Sequence, residues 1–532
     1  MASSTHPQTI HEFLSHIATY GSRLALEIHG EDKGISYGEL VTKISLVASN
    51  LKNQTGLAVG DRIMLYGLTG PDWVVTFFAC LLNGYIVVPI DVRMSTDLAN
   101  ELIGRTGPKI IICQGDVPLR VDLSRPILFS KLTQAEASSS DLDSFERLSG
   151  ETIAEIIMTS GTWSQPKGVT LTHKNLLSNL AGIDLMYHLA DESKMLSILP
   201  LAHIYEQMCG LIVPLFRGAT IVYLNEIRAD ILTTALREHQ ITTVVAVPRI
   251  LALLRSGILK KLPLSRRASF EKLVLFSRWF PVAVRRRLFA KVHQSIGPQL
   301  RTFVISGAPL EQKLDYFFQG LGYITLFGYG LSETSPTLTL SLDQNRIAGC
   351  VGRPLANVKI TLNQESEVLA KGDNVFYGYW PEKRTGEYLN TGDVGRFDSQ
   401  GNLILMGRSK NLVIFPSGDK IFLEDIEKIA NETDGVEESC AINLGDDHHP
   451  KIHLFVVTTE QTADRFLDSV NAKLPFGVRV KSVSKARTET FPRTHTLKLN
   501  RKQILDDYAE DIRALQLDHY DSDTNAAGEA QY

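Results

Sequence analysis

The chain has 532 residues, 44% of them hydrophobic and 21% charged, a composition that excludes a disordered or fibrous protein. Lys and Arg number 55 against 59 Asp and Glu, a net charge of -4, so overall charge gives no reason to expect a nucleic-acid partner. Five cysteines, Cys80, Cys113, Cys209, Cys350 and Cys440, are scattered and show no CxxC spacing, which argues against structural zinc or a disulfide framework and fits a reduced, cytoplasmic compartment.

The opening MASSTHPQTIHEF lacks the basic-then-apolar pattern of a secretory signal. DRIMLYG reads as a strand, Pro71 stands where it can open a helix, and YIVVPI reads as the next strand. The most apolar stretch, VVTFFACLLNGYIVVPI, is interrupted by Asn83-Gly84, so it is expected to be a buried helix and strand within a soluble protein. Further strands are expected in KIIICQ, AEIIMTSG, TTVVAVP, RTFVISG and YITLFGYG, alternating with helical patterns as far as LMGRSKN. Such alternation predicts an α/β fold with mostly parallel sheets sandwiched by helices. Several of these strands run straight into Gly/Ser/Thr-rich turns, the position at which open α/β sheets bind ligands.

After LMGRSKN the texture changes to NLVIFPSGDKIFLEDIEKIA, the strands CAINL and HLFVVTTE, and a final helix around NRKQILDDYAEDIRAL. We expect a large N-terminal domain over 1–408 and a small, mobile α+β domain over 409–515. The polar tail, 516–532, is expected to be disordered.

TSGTWSQPKG, Thr159 to Gly168, combines hydroxyls, glycines and a lysine, the groups that phosphate oxygens require. It is no Walker loop, because Pro166 precedes Lys167 and Gly168 follows it. Thr172 can cap a following helix whose apolar face recurs at Leu176, Leu180, Ile183 and Tyr187. Alone, this stretch leaves an ordinary surface loop open as the alternative.

Six further segments follow it in order: LPLAHIYEQ, SGAPL, FGYGLSET, NTGDVGRFD, GRSKNLVIFPSG and PRTHTLKLNR. With these the chain resembles the adenylate-forming superfamily of acyl-CoA synthetases, adenylation domains and firefly luciferase. Its LPLAHIYEQ and PRTHTLKLNR are most similar to the long-chain fatty acyl-CoA synthetase branch.

The resemblance implies ATP, Mg²⁺ and CoA as ligands and a fatty acid as substrate. It implies that Thr159, Ser160, Gly161, Thr162 and Lys167 hold phosphates, and that Gly307, Ala308 and Pro309 line the adenine edge. Tyr329 and Gly330 offer a ring and a close backbone approach to adenine. Ser332 meets the α-phosphate, and Glu333, with Thr162, supplies hard oxygen to Mg²⁺. Asp393 and Arg408 meet the ribose, and His203 lies at the carboxylate end of the acyl pocket. Lys498 is the cation bridging carboxylate and α-phosphate, Lys410 the pivot between domains, and Gly418 part of the thiol tunnel.

Two positions depart from the family pattern. Trp163-Ser164 replaces Thr-Gly in the phosphate loop, and Leu497 replaces the glycine before the catalytic lysine. A phosphate cradle uses backbone N–H groups, which tryptophan supplies as well as threonine does.

Residues 255–291 carry eleven Lys and Arg against Glu271 alone, interleaved with Phe276, Trp279, Phe280 and Phe289. This pattern fits a peripheral membrane contact, the phosphates of CoA, or a solvated helical hairpin. Three activities stay open at this stage: an acid-thiol ligase forming acyl-CoA, an acyl-AMP ligase serving a carrier protein, and ligation of another carboxylic acid. A catalytically silent lipid-binding relative is disfavoured by the presence of Glu333, Asp393, Arg408 and Lys498.

Overall fold

The computed structural model describes residues 6–115, 126–134, 141–159, 167–190, 193–226, 228–342, 344, 346–417, 419–446, 449–475, 477–493, 499 and 501–513. Two large sheets organise it. The parallel centre of the first consists, in spatial order, of Leu24–Ile28, Thr220–Tyr223, Lys194–Ser197, Thr243–Ala246, Thr302–Ile305 and Ile324–Tyr329. The parallel centre of the second consists of Ile153–Thr159, Ile86–Ile90, Arg62–Tyr66, Ile110–Cys113 and Ile127–Leu128.

The strand Ile86–Ile90 is buried at every position, as an unbroken apolar run in a covered parallel sheet requires. Pro71 opens the helix Pro71–Leu82, which is buried from Trp73 to Leu82 and is therefore surrounded rather than amphipathic. One continuous core joins this helix to residues of both sheets, from Ile10 to Leu403. The α/β class expected from the sequence is the class found.

The sequence reading left Lys167–Thr172 unassigned; it is a strand antiparallel to Ile153–Thr159. Thr172 caps the helix His173–Met186 as expected, its side chain accepting from the Asn175 N–H, while Tyr187 lies just past the helix end in extended conformation. The β-branched residues Val169, Thr170 and Thr172 favour this strand.

One expectation is corrected: strand–helix alternation stops well before LMGRSKN. From Thr339 to Arg408 the described residues form strands without an intervening helix, and six of them extend the first sheet in antiparallel fashion; with Ile35–Ser36 at its other edge that sheet has thirteen strands. Local turn chemistry accounts for this. Asn363 Oδ1 accepts from the N–H groups of Glu365 and Glu367, and Asp398 Oδ1 accepts from those of Gln400 and Asn402, closing two tight hairpins.

Beyond Leu412 the chain forms the hairpin Leu412–Ile414 with Lys420–Phe422, the helix Leu423–Asn431, and a sheet of Glu438–Asn443, Ile452–Val457 and Val480–Lys485. Its buried side chains form clusters of their own, Val413 to Val483 and Cys440 to Tyr508, separate from the large core that ends at Leu403. No helix among the described residues is long and apolar enough to cross a membrane.

Candidate functional site

The candidate site is assembled where strand ends of the first sheet meet its antiparallel extension. Asp393 lies on Leu389–Phe397 and Arg408 on Leu403–Arg408, and the register sets the two residues directly opposite each other. Cross-strand neighbours lie within side-chain reach. Arg408 Nε is 2.8 Å from Asp393 Oδ1, and the Tyr329 hydroxyl donates to Asp393 Oδ2 at 2.6 Å. Burial, followed by the Asp393 charge, pushes the Tyr329 phenol far above its ordinary value, so it remains a donor. A second Arg408 nitrogen donates to the Thr391 carbonyl at 3.1 Å. Tyr329, Asp393 and Arg408, singled out separately in the sequence, thus form one hydrogen-bonded unit.

Gly330 follows Tyr329 at a point of close approach. A Cβ there would lie 1.8 Å from the Pro336 carbonyl oxygen, so only glycine lets the turn close. The following short helix, Ser332–Thr334, presents Glu333, whose Oε1 accepts from the Tyr379 hydroxyl at 2.8 Å. Lys167 Nζ lies over the Tyr379 ring, 4.8 Å from its centre. Tyr379 therefore bridges Lys167, the candidate phosphate lysine, and Glu333, the candidate Mg²⁺ carboxylate. It reaches this place because Gly378–Tyr379 pairs with Lys167–Thr172, a pairing of distant segments that local sequence pattern does not reveal.

Thr159 and Lys167 are paired in the antiparallel register of their two strands, with Thr159 Oγ1 donating to the Lys167 carbonyl at 3.3 Å. Gly307, at φ +86°, turns the chain after the strand Thr302–Ile305, leaving Gly307 and Pro309 exposed and Ala308 half-buried. Lys410 lies in the short turn Ser409–Asn411 immediately after Arg408. Partial burial, then the charges of Arg408 and Arg501, lower its ammonium to about 8. Ser160, Gly161, Thr162, Trp163, Ser164, Gly418, Leu497, Lys498 and the tail 516–532 lie outside the described residues.

Beneath the strand ends runs an apolar cavity lined by Ile183, Tyr187, Tyr205, Cys209, Val213 and Leu340, with Ser306 and Gly328 also in its wall. Part of its wall comes from a π-helical turn, Gln207–Ile212, a local widening frequent at functional sites. His203, expected near the carboxylate end, does not line this cavity. It precedes the helix Ile204–Glu206, with Nε2 3.7 Å from Asp91 Oδ2. Burial raises the Asp91 carboxyl, but its bonds with Arg93 outweigh that and hold it below the usual value. Asp91 and Arg93 were missed in the sequence reading, although Asp91 is the first charged residue after a fully buried strand.

Two fully buried carboxyls support the π-helical turn from behind. Glu155 accepts from Gln207 Nε2 at 3.0 Å, and Ser197 Oγ donates to Glu206 at 2.5 Å. Burial raises each carboxyl from 4.5 to about 8. The folded state consequently holds protons that the unfolded chain releases, and the stability present at low pH is lost as pH rises toward 8. The melting temperature is expected to fall between about pH 5 and pH 8 more steeply in the wild type than in the double variant Glu155→Gln/Glu206→Gln, whose amides do not titrate. Parallel melting profiles would show that these carboxyls ionise as readily folded as unfolded.

Comparison with known proteins identifies the family. Residues 13–380 match the family described as AMP-binding enzyme. A long-chain-fatty-acid–CoA ligase of Mycobacterium bovis is 26% identical over 440 residues, covering 74% of this chain and 72% of its own. Peroxisomal long chain acyl-CoA synthetase 7 of Arabidopsis thaliana is 27% identical over 502 residues, covering 80% and 70%. Among solved structures, a Mycobacterium tuberculosis fatty acyl CoA synthetase superposes with a TM-score of 0.69 at 22% identity, over 95% of this chain and 99% of that one. O-succinylbenzoate coenzyme A synthetase of Bacillus subtilis, in complex with ATP and magnesium ion, gives 0.75 at 20% identity, over 92% and 98%. The shared fold and the match over most of its length place the chain in one family: it belongs to the AMP-binding enzymes.

Proposed function

We propose that the protein is an acid-thiol ligase that activates a long-chain fatty acid with ATP to acyl-AMP and then transfers the acyl group to CoA, releasing AMP and pyrophosphate. The observation that carries this reading is the Tyr329–Asp393–Arg408 unit beside an apolar cavity with Ser306 and Gly328 in its wall. A nucleotide held by the first would present its α-phosphate to a carboxylate whose chain fills the second. Among acids, one with a long apolar chain suits a cavity lined almost wholly by apolar side chains.

In this reading Asp393 and Arg408 receive the ribose, the Tyr329 ring and the Gly307-Ala308-Pro309 turn receive adenine, and Thr159 to Thr162, Lys167 and Ser332 receive phosphates. Glu333 suits Mg²⁺, which is commonly held by one or two carboxylates together with substrate phosphates. His203 orients the acid's carboxylate from beside Asp91. The chain works as two domains, 1–408 and 409–515, with Lys410 as pivot, Lys498 delivered for adenylation and Gly418 lining the path of the CoA thiol. A cytoplasmic enzyme in peripheral contact with a lipid surface through 255–291 completes the reading, since its acid substrate partitions into such surfaces.

The test is pyrophosphate release with ATP, Mg²⁺ and a panel of fatty acids, with and without CoA. Acid-dependent release, with acyl-CoA formed only when CoA is present, is the expected result. Release without acid dependence would overturn the reading, and acyl-AMP that persists in CoA would redirect it to a carrier-protein acceptor. Asp393→Asn is expected to raise the ATP KM by about tenfold or more, since a hydrogen bond to a charged group contributes roughly 1.5–3 kcal/mol. An unchanged KM for ATP would remove Asp393 from the nucleotide site.

A further inference from the structure

One wall of the apolar cavity comes from Tyr205, Cys209 and Val213, residues spaced four apart. In an α-helix, positions eight apart are rotated from each other by about 80°. The π-helical turn Gln207–Ile212, with its wider i→i+5 closure, takes up that rotation and lets all three side chains meet one cavity. The shape of the turn is therefore the shape of the wall.

Two adjacent residues tie the start of the turn to both large sheets. Glu206 accepts from Ser197 Oγ at 2.5 Å, at the end of Lys194–Ser197 in the first sheet. Gln207 Nε2 donates to Glu155 at 3.0 Å, on Ile153–Thr159 in the second sheet, and to the Leu201 carbonyl at 2.9 Å. Glu155, Glu206 and Gln207 are fully buried, and each keeps one side-chain oxygen without a hydrogen-bond partner. Apolar side chains of the same shape would pack there with little or no loss of stability. What these polar groups add is position. Glu206 also takes up the space beside Gly210, four residues on, where a Cβ would lie 2.7 Å from its carboxyl carbon. Carbon atoms do not pack so closely, so the carboxyl stands where any other residue at 210 would place its side chain.

We propose that Glu206 and Gly210 together determine acyl-chain selectivity: the carboxyl holds the π-helical turn back against the end of Lys194–Ser197, the missing side chain at 210 lets it do so, and the room left beside Cys209 follows. The proposal rests on the fatty-acid reading above. Both are positioning residues, acting on the acyl chain through Tyr205, Cys209 and Val213. A methyl group added at 210 meets a fully buried carboxyl on one side, in a close-packed interior that yields little. Free space lies on the cavity side, so the turn moves into the cavity, at the expense of long chains before short ones. Burial raises the Glu206 carboxyl to about 8, so it is uncharged at neutral pH and an amide can take its place.

The experiment compares kcat/KM for hexadecanoate and octanoate, read as acid-dependent pyrophosphate release by the full chain with ATP, Mg²⁺ and CoA. Gly210→Ala is expected to lower the hexadecanoate-to-octanoate ratio by about tenfold, the effect of roughly one methylene of misfit in an apolar pocket, with the KM for ATP unchanged. Glu206→Gln should keep the wild-type ratio. Glu206→Ala added to Gly210→Ala should restore most of it, because the methyl then has room, and Cys209→Ala should raise it. A wild-type ratio in a folded Gly210→Ala, equal losses with both acids, or a double variant below Gly210→Ala would each overturn the proposal. Should a melting curve show that Gly210→Ala does not fold, Glu206→Ala must lose the ratio that Glu206→Gln keeps, or the proposal falls. A wild type that releases pyrophosphate with neither acid would defeat the fatty-acid reading instead. The proposal is then decided by the binding of the two acids, measured as displacement of a fluorescent fatty acid, with the same order of ratios expected.

Discussion

Lys498→Ala is expected to lower acyl-adenylate formation by about 10²–10³-fold while sparing CoA attack on preformed adenylate, because removing one preorganised charge at a transition state typically has that effect. Carboxylate and ATP are both anionic, and their mutual repulsion is greatest as the new bond to the α-phosphorus forms. An ammonium placed there offsets the repulsion most strongly in the pentavalent state. The residues flanking the segment tie it to the small C-terminal unit. Arg493 and Leu499 pair as an antiparallel bridge, Arg493 is ion-paired with Glu438, and Leu499 packs on the cluster containing Cys440 and Phe455. Acid-dependent pyrophosphate release and thioester formation from synthetic acyl-AMP are measured separately. Wild-type pyrophosphate release in the variant would remove Lys498 from the adenylation step. Loss of both half-reactions would point to a folding defect, which a melting curve detects.

Lys410→Pro is expected to leave adenylation within a few-fold of wild type and to reduce thioester formation by tenfold or more, an order-of-magnitude expectation for blocking a conformational step. The two half-reactions need different groups beside one phosphorus, first a cation and then an open path for a thiol, so a rigid arrangement serves one of them poorly. The residues on either side of Lys410 are held firmly. Arg408 is bound to Asp393, while the Asn411 side chain donates to Glu424, which lies 3.8 Å from Arg501. In the proposed two-domain reading, the rotation would fall in the turn Ser409–Asn411 between these anchored residues. Arg408 and Arg501 also lower the Lys410 ammonium, after burial, to about 8, so a charged Lys410 gains by leaving this arrangement. Proline holds φ near -65° and opposes such a change. Equal rates for both half-reactions in wild type and variant would place the pivot elsewhere.

Much of the architecture was legible in one dimension because it is local. Unbroken apolar runs ending in Gly/Ser-rich turns identify buried parallel strands and the end of the sheet that can take a ligand, as YIVVPI and RTFVISG do. Pro71 and Thr172 mark helix starts through backbone chemistry that needs no partner. The antiparallel extension was misread because an alternation rule was carried past Asn363 and Asp398, whose turn chemistry signals hairpins instead, and the strand Lys167–Thr172 went unassigned.

What the sequence by itself determined is the fold class, the family motifs and the residue types available for chemistry. Tertiary structure alone decided which of them meet. Cross-strand register sets Asp393 against Arg408 and brings Tyr329 to both. Pairing of segments about two hundred residues apart places Tyr379 between Lys167 and Glu333. Packing against Gln312–Leu321 turns Arg278 onto the Tyr316 ring and Arg285 to the Gln319 carbonyl, while Lys260, Lys261 and Lys272 of the same basic stretch stay exposed. The physical reason is common to all three: hydrogen bonds, ion pairs and burial act over a few ångströms in space, and sequence separation does not measure that distance.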